Sequence, residues 1–203
     1  MPDVRERIYE ATLDLITSKG YDAIDVDQIA AKAGVERAQF DSLFPSKEAC
    51  TIAVFDDFMD VFNRQVGEAY ESQPRWPDSL RAAAYAVALW MTEHPREMRF
   101  GATGLLWAGE AAQAKREIAF QNFVAMVDAG RSLAAEPDQV PEYTAEGVIG
   151  SVAVMITKRA QQDEEMRPYE FVPQLMALAV RPYLGEVAAA RELTMPPPAP
   201  GAV

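Results

Sequence analysis

The 203-residue chain is 49 % hydrophobic and 25 % charged, the balance of a globular protein that can bury a core without disulfides or metals. Its longest apolar run, Ala82–Met91, is too short to cross a bilayer, its single cysteine excludes an internal disulfide, and no apolar signal segment follows the charged first residues. The expectation is a cytoplasmic protein with no membrane partner, and a net charge of −12 excludes a bulk basic nucleic-acid binder though not a local DNA-reading face.

Val4, Ile8, Ala11, Leu15 and Ile16 recur at helical spacing, and Gly20 follows Lys19 as a stop, which predicts a first helix. Asp25 caps a short helix over Val26–Ala33, with Gln28 three residues after the cap in a capping-box pattern. Gly34 ends that helix, and a second short one runs from about Arg37 to Phe44. Pro45 and Ser46 break it and start a long helix from Lys47 towards Glu71, with Ile52, Phe55, Phe58, Met59 and Phe62 along one face. Proline-marked joints then separate helical stretches at roughly 78–94, 96–108, 110–135, 142–163 and 170–192. No alternating β-branched run bounded by hairpin turns is present. The tail, Met195–Val203, holds four prolines in nine residues and is expected to be extended or disordered. The predicted fold class is all-α, with a three-helix helix-turn-helix domain over 1–48 (motif 25–44), a helical body over 49–194 and the tail over 195–203.

Within the motif, Ile29, Ala30 and Ala33 face inward, Gly34 permits the turn, Val35 plugs the space between the helices, and Phe40 and Phe44 anchor the second helix at i, i+4. Such a unit presents the N-terminal residues of its second helix to a major groove. Enzyme chemistry is not expected. One histidine and one cysteine, with no third partner at a useful spacing, support neither a catalytic triad nor a metal site, and no cofactor is expected. His94 before Pro95 reads as a helix joint, and Cys50 as a small core hydrophobe. Gly101, Gly104 and Gly109 lack the Lys-Ser/Thr of a phosphate loop and read as close helix packing.

The stretch from Ile8 to Cys50 resembles the N-terminal domain of regulators of the tetracycline-repressor (TetR) family. The resemblance rests on Gly20-Tyr21, Ile29-Ala30, Ala33-Gly34-Val35, Phe40, Phe44 and Ser46-Lys47-Glu48, matched without a gap. The later His94-Pro95 joint and Arg181-Pro182-Tyr183-Leu184-Gly185 are similar to segments of actinobacterial members. The resemblance implies that Gln28, Arg37, Ala38, Gln39, Asp41, Ser42 and Lys47 face double-stranded operator DNA. Arginine suits guanine and glutamine suits adenine, Ser42 could donate to phosphate, and Lys47 matches a phosphate-contacting position. Asp25, Glu36 and Asp41 put carboxylates where the family pattern has hydroxyl donors, and residues 1–50 sum to −4. Asp41 lies four residues after Arg37, so the two can pair.

The resemblance also implies a cavity in the body for a small, mostly apolar effector, with Phe62, Trp90, Met91, Phe100, Trp107, Phe120 and Phe123 as its candidate lining. Apolar or small residues all round the helix from Val148 to Ile156 suggest a homodimer interface that takes in Val148, Val152, Met155, Leu175 and Leu178. The expected function is a ligand-responsive transcription regulator, a repressor released from its operator by the effector. Two rivals stand beside it: a binding protein of the same fold with weak or lost operator binding, and an all-helical enzyme.

Overall fold

A computed structural model describes residues 3–103, 108–162 and 167–198. Their regular structure is helical: α1 (Val4–Lys19), α2 (Val26–Ala33), α3 (Arg37–Leu43), α4 (Lys47–Glu71), α5 (Trp76–Glu93), α6 (Pro95–Thr103), α7 (Glu110–Asp128), α8 (Thr144–Gln162) and α9 (Pro168–Glu192). Among the described residues no strand occurs, as the sequence predicts. The chain divides into two compact units. The first comprises Met1–Asp60 and His94–Glu117, the second Val61–Glu93 and Ile118–Val203. The N-terminal unit therefore extends past the boundary expected at residue 48, because α6 packs against α1 and adds Phe100 to its core.

In the first unit, local chemistry fixes the helix ends. The Asp3 carboxylate accepts from the Glu6 N–H at 2.7 Å while Glu6 accepts from the Asp3 N–H at 2.8 Å. Asp25 and Gln28 form the same reciprocal cap on α2, at 2.8 and 3.0 Å. Gly34 adopts φ +64°, a left-handed conformation that costs glycine little, and lets Val35 N–H reach back to the Ala30 carbonyl at 3.0 Å. Ile8, Ile29, Phe40, Cys50 and Phe100 are fully buried in one cluster. Burial pushes the Cys50 thiol up to about 11, and its Sγ lies 3.4 Å from the Thr12 hydroxyl, which agrees with its reading as a core residue. His94 accepts the Met98 N–H through its carbonyl at 3.0 Å, the helix-joint role expected of it.

The second unit has its own core around Trp76, Tyr85, Val127, Val172, Met176, Val180 and Tyr183. Trp76 donates its indole N–H to the Met126 carbonyl at 2.8 Å and meets the Tyr183 ring edge-on at 5.4 Å. The stretch expected as one helix to 135 ends instead at Asp128 and continues as a 3-10 turn, Ala129–Leu133. Arg131 holds that turn by donating to the Val140 and Pro141 carbonyls at 2.6 and 3.1 Å. The expected last helix is also interrupted: Gly185 sits at φ +79°, ψ −178°, three residues after Pro182, whose ring has no N–H to give the preceding turn. Beyond the kink, Glu192 is 5 % exposed and accepts twice from Arg81 of α5, at 2.7 and 2.8 Å. Arg81 also donates to Asp78 at 2.8 Å.

A buried ion pair loses most when one partner is removed, because the other charge is then stranded out of water. Glu192→Ala is expected to destabilise the second unit by about 3–5 kcal/mol, and Arg81→Met combined with Glu192→Leu to recover most of that loss. Urea unfolding followed by far-UV circular dichroism measures both. Equal losses in the single and double variants would show that packing, and not stranded charge, controls the site.

Candidate nucleic-acid interface

α2, the Gly34 turn and α3 form the helix-turn-helix read from the sequence. Ile29, Ala30, Ala33 and Phe40 are buried beneath it, and Phe40 meets Phe44 at a tilt of 52° with ring centroids 5.5 Å apart. Arg37, Ala38, Gln39, Asp41 and Ser42 are then exposed along α3, joined by Leu43 at 43 %. The expected reading helix therefore does present its predicted residues to solvent.

Their polar groups, however, are largely engaged within the chain. Nε of Arg37 donates to both Asp41 oxygens, at 2.9 and 3.1 Å, which is the pairing that the i, i+4 spacing predicts. Nη1 of Arg37 donates to Asp27 at 2.7 Å, across the turn from the first residues of α2. The Asp27 and Asp41 carboxylates together raise the already high pKa of the guanidinium. The Gln28 amide oxygen accepts from the Asp25 N–H at 3.0 Å, and the Gln39 amide oxygen accepts from the Glu36 N–H at 3.0 Å. Both glutamines act first as helix caps, and an adenine contact through Gln39 needs that oxygen released.

Two roles implied by the resemblance change. Ser42 gives its hydroxyl hydrogen to the Gln39 carbonyl at 2.7 Å, so it is not poised to donate to phosphate. Lys47 is half-buried and donates to the Tyr21 and Ile24 carbonyls, each at 2.8 Å, with its ammonium 4.0 Å from the Tyr21 ring centroid. It cross-links the loop after α1, whose carbonyls have no helical partner there. The residue that sequence reasoning missed is Asp27. Ten positions from Arg37 and across a turn, it falls outside helical spacing, and only the crossing of α2 and α3 brings the two together.

The candidate effector residues divide between the units. In the second unit, Phe62 meets Trp90 edge-on at 4.9 Å and Phe123 at 6.0 Å, with Met91 and Phe120 half-buried in the same unit. Phe100 belongs elsewhere: it is fully buried in the first unit against Phe58, at 5.9 Å. Trp107 lies outside the described residues. Of the candidate interface residues, Val148 is only 7 % exposed and packs in its own chain's core, so it is not available to a partner. Val152, Met155 and Leu175 are half-buried, and Leu178 is 40 % exposed. On α8, Gly147, Ser151, Val154 and Lys158 line an exposed face, with Val154 at 69 %. A groove of about 520 Å³ lies along α8 and α9, floored by Met155, Phe171, Leu175 and Leu178, with Arg159 and Arg167 along it.

Comparison with known proteins follows this geometry. Residues 8–54 match the family described as bacterial regulatory proteins, tetR family. The matched residues span the helix-turn-helix and the start of α4. The HTH-type transcriptional regulator EthR of Mycolicibacterium smegmatis is 29 % identical over 147 residues, 68 % of this chain and 66 % of that protein, so the match spans about two thirds of the relative's length. Among solved structures, the fatty acid degradation regulator FadR from Bacillus halodurans superposes with a TM-score of 0.74 at 14 % identity, covering 89 % of this chain and 96 % of that one. FadR from Bacillus subtilis, solved in complex with stearoyl-CoA, gives 0.69 at 16 % identity, covering 88 % and 97 %. These superpositions establish the shared all-α fold. Among the described residues no helix is long and apolar enough to cross a membrane.

The structural duty of Lys47 has a measurable consequence. Lys47→Ala is expected to lower stability in urea by about 1.5–3 kcal/mol, the range for hydrogen bonds that involve a charged group. Limited proteolysis should then cut first between Gly20 and Asp25. An unchanged unfolding midpoint would mean that the ammonium is not needed to hold the loop.

Proposed function

We propose that this chain is a ligand-responsive repressor that acts in the cytoplasm as a homodimer and binds double-stranded operator DNA through α3. The observation that carries the proposal is an exposed α3 face, held by a buried Phe40, on a domain that matches the tetR family over residues 8–54. Two such helices, one per protomer, would enter successive major grooves. The effector is small and largely apolar, and it binds in the second unit beside Phe62, Trp90, Met91, Phe120 and Phe123. α4 runs unbroken from Lys47 to Glu71, with its first residues in the first unit and its last in the second. It is therefore the element through which effector binding would alter the reading head. Stearoyl-CoA in the Bacillus subtilis FadR complex is a larger, charged molecule with a long apolar chain, and it makes long-chain acyl thioesters a class to test beside small apolar compounds.

The dimer would form on α8 and α9, where Val154 and Leu178 leave apolar surface exposed on helices that are otherwise well packed. An interface of this kind needs more than ~1,000 Å². Light scattering at micromolar concentration is expected to give a dimer, and Val154→Asp, which needs no repacking of the protomer's core, to give a monomer. A monomeric parent protein would remove the interface and with it the two-headed mode of reading.

A specific observation favours a second reading: Arg37, Gln39, Ser42 and Lys47 all spend donors or acceptors within the chain. On that reading the protein keeps the fold and the ligand but binds operator weakly. Fluorescence anisotropy with duplexes from its own upstream DNA separates the two. Tighter binding to the upstream duplex than to a scrambled one, reversed by an acyl-CoA, is the outcome expected of the repressor. Equal and weak binding to both duplexes, with acyl-CoA still quenching tryptophan emission, would establish the alternative.

A further inference from the structure

A guanidinium has two edges that can fork onto the O6 and N7 of guanine, Nε with Nη2 and Nη1 with Nη2. In this chain Asp41 holds the only Nε proton, which closes the first edge. Asp27 accepts one of the two Nη1 protons at 2.7 Å, and Nη2 is engaged by no protein acceptor among the described residues. The plane of Arg37 is thus held at two points by carboxylates from two different helices. All three side chains are at least half exposed, with Asp27 at 75 %, so nothing in the core demands this arrangement.

We infer that Asp27 is a positioning residue for DNA recognition: with Asp41 it fixes the Arg37 guanidinium so that the Nη protons left free read one guanine per half-site. This rests on the proposal that α3 is the reading helix. Exposed ion pairs contribute little to stability, so a carboxylate bonded to an operator-facing arginine is better explained by orientation than by folding. The long arginine stem has many rotamers, and holding it at two points before binding removes the entropy cost of ordering it on the base. The same two acids leave Arg37 with net negative surroundings. Their combined charge discourages the arginine from drifting to a phosphate, where it would read no sequence.

The test uses the full chain. A random duplex pool is enriched with the parent protein, and binding is then measured on the selected duplex, on its single base-pair variants and on a scrambled duplex, at several salt concentrations. Asp27→Asn, nearly isosteric, is expected to keep the unfolding midpoint and to lower discrimination at one G·C pair per half-site at least about fivefold, the low end for one bidentate contact. Arg37→Ala should erase preference at that same pair, and Asp27→Glu should restore much of it. Binding to the scrambled duplex should not weaken in Asp27→Asn, and its salt dependence should steepen by up to about one counterion. Tighter binding of Asp27→Asn to every duplex with the G·C preference intact would overturn the inference, and so would an equal loss at all positions. If the parent protein enriches no sequence, or if Arg37→Ala and Gln39→Ala leave its preferences unchanged, the reading-helix proposal itself fails.

Discussion

α3 has only seven residues, too few to be stable as an isolated helix, so its orientation depends on what it buries. That is Phe40, which has no exposed surface and shares its cluster with Ile8 and Ile29. Phe44 completes the anchor, its ring tilted against Phe40 and centred 5.8 Å from that of Tyr9 on α1. Burying a ring of that size contributes on the order of 1.5–3 kcal/mol, more than any exposed contact on the same helix. With Phe40 fixed, helical geometry turns Ala38, Gln39 and Ser42 outward. The outward face is thus a consequence of the inward one.

The outward face is organised by a chain with more acid than base. In a protein of net charge −12, a cation at the surface of the motif finds a carboxylate nearby, and Arg37 finds two. Lys32 and Arg96 both pair with Asp14, at 3.3 and 2.6 Å, and Arg96 also reaches Glu10 at 2.9 Å. These contacts tie α1, α2 and α6 within one unit, with exposed pairs that salt would screen. Little free positive charge is left to attract a polyanion from a distance. Recognition on this surface would have to come from directed hydrogen bonds more than from counterion release.

The second unit is held differently. Its core joins α5, α7, α8 and α9 through Trp76, Tyr85, Val127, Val148 and Tyr183, and a buried charge cluster within it pairs Arg81 with Asp78 and Glu192 through three hydrogen bonds. Burial raises the Asp78 carboxyl, but bonds from Arg81 and Arg75 outweigh it and leave the pKa below the usual value. A depressed carboxylate pKa stabilises the fold above the unfolded value, near 3.9, and that contribution is lost as pH falls through the folded one. The ion pair ties α5 to the part of α9 that follows the Gly185 kink.

By itself the sequence determined whatever is local. Helical periodicity, the Asp25–Gln28 cap, Gly34 and the Phe40–Phe44 spacing located α1 to α4 to within a residue or two, because those signals act between positions at most four apart. The Arg37–Asp41 pair was legible for the same reason. Contacts across a crossing were not. Asp27 reaching Arg37, Lys47 capping the loop after α1, Phe100 joining the first unit and Arg81 meeting Glu192 span separations from 10 to 111 residues. No periodicity encodes such distances. Val148 shows the same limit, since an apolar residue on a helix does not say which of two faces its own core will cover. Tertiary structure alone decided these pairings, because they depend on how helices cross, and that is set by the packing of the core as a whole.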